Sequence, residues 1–181
     1  ANGNGGRAEW AMTWPEGPDG FLSSYCNTVP TPQGGTHEAG LRAALSRGLK
    51  AYGELSGNKR ASIITAEDVI GSAWGILSVF VPNPEFQGQI KEKLTTVAVS
   101  RQVENSIKDH FDHYLSGDPE QADALLEHAV VRAEDRLRRR KEKETARKSA
   151  TRKLRLPGKL ADCTSGASAG TEIFLVEGDS A

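Results

Sequence analysis

Cysteine is scarce in these 181 residues, and the two present, Cys26 and Cys163, share no CxxC or Cys/His spacing. That argues against a zinc site and a disulfide framework, and leaves reduced structural thiols. Long apolar runs are missing too. The longest, Ala73 to Pro82, is far short of the roughly 20 residues of a spanning helix, and no basic-then-apolar leader opens the chain. The expectation is a soluble, cytoplasmic protein without membrane association. No Walker-type glycine loop is present to cradle phosphates. The four histidines, His37, His110, His113 and His128, share no face with acids or cysteines at ligand spacing, and no role is assigned to them.

Apolar residues make up 37% and charged residues 26%, polar for a compact domain yet far from a disordered composition, so some segment must be solvated. The net charge of -1 hides where that segment lies. Between Arg132 and Lys159 there are thirteen Lys or Arg and four acids, about +9, which leaves the rest of the chain acidic. With no initiator Met and with its last residues directly following an apolar strand pattern, the sequence is expected to be an internal piece of a longer chain.

Glu9–Trp14 and Phe21–Val29 have strand character, and the Pro and Gly spacing from Pro15 to Gly20 suggests a hairpin turn between them. After Gly34-Gly35, Thr36 can cap a helix with Leu41, Leu45, Leu49 and Tyr52 on one face. Thr65-Ala66-Glu67-Asp68 matches a capping box opening a short helix before a strand over Trp74–Val81. Trp10, Trp14 and Trp74 are expected in the core. Val103, Ile107, Phe111 and Leu115 mark an amphipathic helix ended by Gly117. Asp118-Pro119 starts another, whose apolar stripe runs from Ala122 to Leu137 and then stops, while helix formers continue to about Lys148. A helix polar all round projects into solvent, bridges domains or faces a polyanion. Leu156-Pro157-Gly158 marks a boundary, giving domains over 1–153 and 154–181, and Thr171–Ser180 reads as a buried strand ending in Glu177.

Three segments carry candidate chemistry. Phe86–Leu94 is an exposed loop with alternating lysines; Lys91 could meet a terminal phosphate, where positive charge offsets what develops in phosphoryl transfer, or could be a solvated surface lysine. The basic run could neutralise several phosphates of a duplex in a sequence-independent, salt-sensitive way. It could equally be a solvated helix steadied by pairs with Glu142 and Glu144. It lacks interleaved aromatics, which argues against stacking on single strands. Glu177, with Gly178-Asp179-Ser180 behind it, is either a Mg²⁺ ligand at a strand end or a turn residue.

Leu156-Pro157-Gly158-Lys159-Leu160-Ala161-Asp162-Cys163 and TEIFLVEGDSA over 171–181 resemble the opening and first acidic motif of the Toprim domain in the B subunits of type IIA DNA topoisomerases. Gly34-Gly35-Thr36-His37-Glu38 with Gly40-Leu41-Arg42 resembles the transducer domain of those subunits, and Gln89-Ile90-Lys91 stands where they carry a QTK loop. Order and spacing fit across essentially the whole chain. Val29-Pro30-Thr31-Pro32-Gln33 and Asp162-Cys163-Thr164 are more similar to the topoisomerase IV branch than to gyrase.

The resemblance implies an α+β fold: a transducer domain like the second domain of ribosomal protein S5, with a long carboxyl-terminal helix, followed by the first strand of an α/β Toprim domain. It implies that Lys91, with Gln89 beside it, reaches the γ-phosphate of ATP bound in a preceding domain, Ile90 replacing the usual Thr. Glu177 would bind Mg²⁺ and assist DNA cleavage and religation. Arg138, Arg139, Arg140, Lys141, Lys143, Arg147, Lys148 and Lys159 would contact double-stranded DNA. The implied partner is the A subunit of topoisomerase IV, in a heterotetramer of two A and two B subunits. The implied activity is ATP-dependent passage of one duplex through a transient break in another. The B subunit of DNA gyrase, a non-catalytic DNA-binding coupling module and an RNA-binding protein of S5-like fold are the other readings.

Overall fold

Alternating side chains build the sheet. In the computed structural model, which describes residues 6–15, 17 and 20–152 with side chains to residue 146, strands β1 (Arg7–Thr13), β2 (Phe21–Cys26), β3 (Val29–Pro30) and β4 (Trp74–Phe80) form one sheet in the order β1-β4-β2-β3. Gly75, Leu77 and Val79 of β4 point into the core while Trp74 and Ile76 remain exposed, the period of two that a half-buried strand demands. The helices are α1 (Thr36–Leu55), α2 (Ala66–Ile70), α3 (Val97–Gly117) and α4 (Pro119–Arg152), with a 3₁₀ turn at Lys59–Ile63. The α+β class expected from the sequence is what is observed. The chain divides into two compact units, Ala1–Arg136 and Leu137–Ala181. The expected boundary at Leu156-Pro157-Gly158 and the strand at Thr171–Ser180 lie outside the described residues.

The hairpin expected between the first two strands does not form. β4 lies between them, antiparallel to β1 with Arg7 opposite Phe80, and parallel to β2 with Phe21 opposite Trp74. Gly20 serves a different purpose from a turn. Its amide donates to the Gly71 carbonyl (3.1 Å), and a Cβ there would be driven into the Ala73 backbone, so it admits the close approach that starts β2 beside β4.

Leu41, Leu45 and Leu49 of α1 are fully buried with Val103, Ile107, Phe111 and Leu115 of α3, as their four-residue spacing predicts. What the apolar pattern omits is the stripe Gly40, Ala44 and Gly48. A Cβ on Gly40 would strike the Ser100 carbonyl, and one on Gly48 would lie 2.8 Å from Phe111 Cδ1, so α1 and α3 approach closely along small residues. Asp118 accepts from the Gln121 amide (3.2 Å) and caps α4 ahead of Pro119. The α4 stripe of Ala122, Leu125, Leu126, Ala129 and Val130 joins the same core and Ala133 is buried beside it, whereas Leu137, the expected end of the stripe, is only half-buried. Thr36 is a correction: it is the first helical residue, Gly35 holds the cap position, and the Thr36 hydroxyl makes no cap bond. Trp74 is another. It is 47% exposed and packs on Phe21 with ring centroids 5.6 Å apart, while Trp10 and Trp14 are part-buried against the core. Cys26 is a buried free thiol, and Cys163 lies outside the described residues.

The capping box at Thr65 forms as expected and is joined by an unexpected partner. Asp68 accepts from the Thr65 amide (2.8 Å) and hydroxyl (2.7 Å), and Arg136 of α4 donates to both carboxylate oxygens (2.9 Å each) and to the Ile63 carbonyl (3.0 Å). Burial alone would push the Asp68 pKa up; the bonds from Arg136 and Thr65 outweigh it and hold the pKa below the ordinary 3.8. A lowered carboxylate pKa contributes stability that is complete above 3.8 and lost as pH falls toward the folded value. Asp68→Asn is therefore expected to flatten the acid limb of the stability curve. Asp68→Asn and Arg136→Ala should each cost about 1.5–3 kcal/mol near neutral pH, with the double variant well short of the sum; urea unfolding measures all three, and full additivity would show the pair does not act as one unit.

Candidate functional site

The segment carrying Gln89 and Lys91 is a small hairpin rather than an irregular loop. Strands β5 (Phe86–Gln87) and β6 (Lys93–Leu94) pair antiparallel, Phe86 opposite Leu94, and enclose the turn from residue 88 to residue 91. Gly88 has φ +74° and Lys91 has φ +60°. A left-handed conformation is routine for Gly, but for Lys it costs about 1–2 kcal/mol, which the surroundings must supply. Gln89, Ile90 and Lys91 are all exposed, Ile90 at 79%. The Lys91 ammonium lies 5.9 Å from the centroid of the Phe86 ring, within cation–π range.

The hairpin is gripped by the segment that leads into α1. The Gln33 amide donates to the Glu92 carbonyl (3.0 Å), the Leu94 amide donates to the Gly34 carbonyl (3.0 Å), and the Gln33 side-chain amide bonds the Glu92 carboxylate. Gly35 bridges Leu94 in parallel, with φ +145°, and a Cβ there would be driven into the Leu94 backbone. Gly34 has φ +66°, and a Cβ would lie 2.6 Å from a Glu38 carboxylate oxygen. Gly35 is thus required by backbone approach, and Gly34 by its left-handed φ.

Behind this grip lies a polar cluster. Ser24, Thr31 and His37 are buried, Thr31 at 1% and His37 at 0%. His37 Nε2 is 3.0 Å from the Thr31 hydroxyl, which is 2.7 Å from the Ser24 hydroxyl, which donates to Glu38 at 2.6 Å. Burial lowers the His37 pKa to about 4, so its ring is neutral at physiological pH. No role was legible for His37 from metal-ligand spacing. Its burial was legible, because it stands four residues before Leu41 on the same face of α1.

The basic run of α4 is helical through Arg152, and Arg138, Arg139, Arg140, Lys141 and Lys143 are exposed. Arg138 pairs with Glu142 at 4.0 Å, so the ion pairs offered as an alternative to polyanion binding are in part present. The side chains of Arg147 and Lys148, and all of Lys159 and Glu177, lie outside the described residues. Among the described residues no group of three acids, His or Cys clusters as a metal site, and no helix is long and apolar enough to cross a membrane. A cavity of about 790 Å³ between β1, α3 and α4 holds none of the expected site residues. Among its polar side chains, the Trp14 indole bonds the Val69 carbonyl (2.8 Å), His128 bonds Ser72 (2.8 Å) and Tyr114 bonds Gln121 (3.3 Å).

Known proteins resemble this chain in sequence and in fold. The DNA topoisomerase 4 B subunit of Caulobacter vibrioides is 63% identical over 99% of this chain, which covers 26% of that protein. The Salmonella typhimurium protein of the same name is 40% identical over 99% of this chain and 29% of its own length. The chain thus spans about a quarter of the length of such relatives. Among solved structures, the topoisomerase IV ATP-binding domain of Francisella tularensis, in complex with a small-molecule inhibitor, superposes with a TM-score of 0.69 at 34% identity, covering 74% of this chain and 38% of that one. The 43K ATPase domain of Thermus thermophilus gyrase B, bound to an aminocoumarin, gives 0.67 at 27% identity, over 77% and 38%. With the model of the DNA gyrase B family matching residues 1–145, and an α+β fold shared with structures of gyrase B and topoisomerase IV, the chain belongs to the DNA gyrase B family.

Proposed function

We propose that this chain is the transducer of a topoisomerase IV B subunit, with an S5-like domain that senses ATP bound upstream and a basic helix leading to a Toprim domain. The observation that carries the reading is the exposed Gln89-Ile90-Lys91 turn, held rigidly at its base and presenting an ammonium and an amide at its tip. The 63% identity to the Caulobacter protein over nearly the whole chain supports the topoisomerase IV branch. The parent activity is then ATP-dependent passage of one duplex through a transient double-strand break in another, in the cytoplasm and together with an A subunit.

A terminal phosphate is anionic and oxygen-rich, and the donors at this turn fit it: Lys91 brings a full positive charge and Gln89 a hydrogen-bonding amide. Bound ATP supplies the phosphoryl group and its developing negative charge. The Lys91 ammonium offsets that charge, and the grip on Glu92 and Leu94 fixes the position from which it does so. Displacement of the turn passes through Gly34-Gly35 to the start of α1, along the close approach of α1 to α3, and across Asp118 into α4. Arg138, Arg139, Arg140, Lys141 and Lys143, continued by Arg147, Lys148 and Lys159, offer their charges to duplex phosphates. Glu177, outside the described residues, is the proposed Mg²⁺ ligand for cleavage.

In the full-length protein assembled with its partner, Lys91→Ala is expected to lower the turnover of ATP about 10²-fold while leaving DNA affinity at fixed salt unchanged; wild-type hydrolysis would remove Lys91 from the site. Replacing Arg138, Arg139, Arg140, Lys141 and Lys143 by Gln should weaken duplex binding for all sequences alike. Each phosphate left without its cation should reduce the slope of log K against log salt by about 0.9, and an unchanged slope would place the DNA elsewhere.

A further inference from the structure

The buried cluster behind the Lys91 turn offers its two hydroxyls more acceptors than they have hydrogens. Ser24 and Thr31 have one hydroxyl hydrogen each, and the Glu38 carboxylate accepts from Ser24. The Ser24 hydroxyl lies closest to Glu38, at 2.6 Å, and a bond to a carboxylate is the strongest available to it. Its oxygen can then only accept at the 2.7 Å contact with Thr31, whose single hydroxyl hydrogen is shared between the Ser24 side chain and the Ser24 carbonyl (2.9 Å). The Thr31 oxygen must accept at the 3.0 Å contact with His37, so the neutral ring carries its hydrogen on Nε2. The result is a directed chain from His37 to Thr31 to Ser24 to Glu38, in which the Thr31 hydroxyl serves both the side chain and the carbonyl of Ser24. The other nitrogen, Nδ1, is left as an acceptor, and it is buried without a partner among the described residues. Bonds aligned in this way polarise one another toward the carboxylate.

The chain ties three pieces of backbone together: Ser24 belongs to β2, His37 and Glu38 to the first turn of α1, and Thr31 opens the turn that holds the Lys91 hairpin. The Thr31 amide donates to the Ser24 carbonyl (2.9 Å), and its carbonyl accepts from the Gly34 amide (2.8 Å). Two residues of that same turn grip the hairpin, Gln33 at Glu92 and Gly34 at Leu94. The first grip acts on the residue directly after Lys91, whose left-handed φ of +60° needs external support.

We propose that Thr31 is a positioning residue for the ATP-sensing turn: by linking Ser24 to His37, its hydroxyl fixes the segment that holds Lys91 in its left-handed, outward conformation. The inference rests on the ATP reading of Lys91, and the experiment separates the two. ATP hydrolysis is measured in the full-length assembled protein for Thr31→Val, Thr31→Ser, Lys91→Ala and the double variant Thr31→Val with Lys91→Ala. Valine keeps the shape and removes the hydroxyl; serine keeps the hydroxyl. Thr31→Val is expected to reduce kcat about 10-fold or more, as misplacement of a catalytic group by about 1 Å can, with KM for ATP within about twofold and Thr31→Ser restoring the rate. In the double variant the Thr31→Val effect should vanish, because the group it positions is gone.

A wild-type kcat for Thr31→Val, or the same fold-loss in the Lys91→Ala background as in the wild type, would overturn the positioning role. Wild-type hydrolysis by Lys91→Ala would instead overturn the ATP reading beneath it. Should Thr31→Val fail to accumulate as folded protein, Glu38→Ala removes the chain's terminal acceptor at its part-exposed end and is held to the same comparison: a loss of kcat that disappears with Lys91→Ala supports the role, and an unchanged or additive effect overturns it.

Discussion

The close approach of α1 to α3 is the constraint from which the rest of the fold follows. Along Gly40, Ala44 and Gly48 α1 presents nothing larger than a methyl to α3, whose Ser100 carbonyl lies against Gly40 and whose Phe111 ring lies against Gly48. That proximity lets Leu41, Leu45 and Leu49 interleave with Val103, Ile107 and Phe111 in one core with the inner face of the sheet. It also fixes the distance between the start of α1, where Gly35 meets Leu94, and the start of α3 shortly beyond Leu94. The hairpin carrying Lys91 is therefore suspended between the amino ends of two helices that cannot move apart without opening the core.

Polar groups are used where the chain must be held at one angle and apolar packing would leave it free to slide. Arg136 reaches Asp68 and the Ile63 carbonyl at the last residue of the first compact unit. Arg60 adds exposed bonds to Glu127 and Glu134 of the same helix, which steady the geometry more than they stabilise it. Ser24, Thr31, His37 and Glu38 do the equivalent job for the segment behind the Lys91 turn. On the proposed function, both clusters stand at the joints of one path of elements, the first near its output and the second at its input.

Much of the fold was legible. The stripes of α1, α3 and α4, the capping box at Thr65 and the cap at Asp118 follow from local chemistry, and all are found. The placement of Gln89 and Lys91 in an exposed segment was legible as well. The hairpin between β1 and β2 was misread because Gly20, which looked like turn chemistry, serves a backbone contact with residues 71–73, far along the chain. Trp74 was misread because size and apolarity suggest burial, whereas strand parity puts it on the outer face with Phe21 and Ile76.

By itself the sequence determined which residues face inward on each helix, where α2 and α4 begin, that charge is concentrated beyond Arg132, and through its motifs which family it belongs to. These are properties of neighbours a few positions apart, and periodicity records them. Only the tertiary structure decided that β4 lies between β1 and β2, that Arg136 completes the capping box of Asp68, and that Gly34 and Gly35 serve the backbone of residues 92–94. Each of those joins groups far apart in the chain through hydrogen bonds a few ångströms long, and no local pattern encodes which distant partner will be within reach.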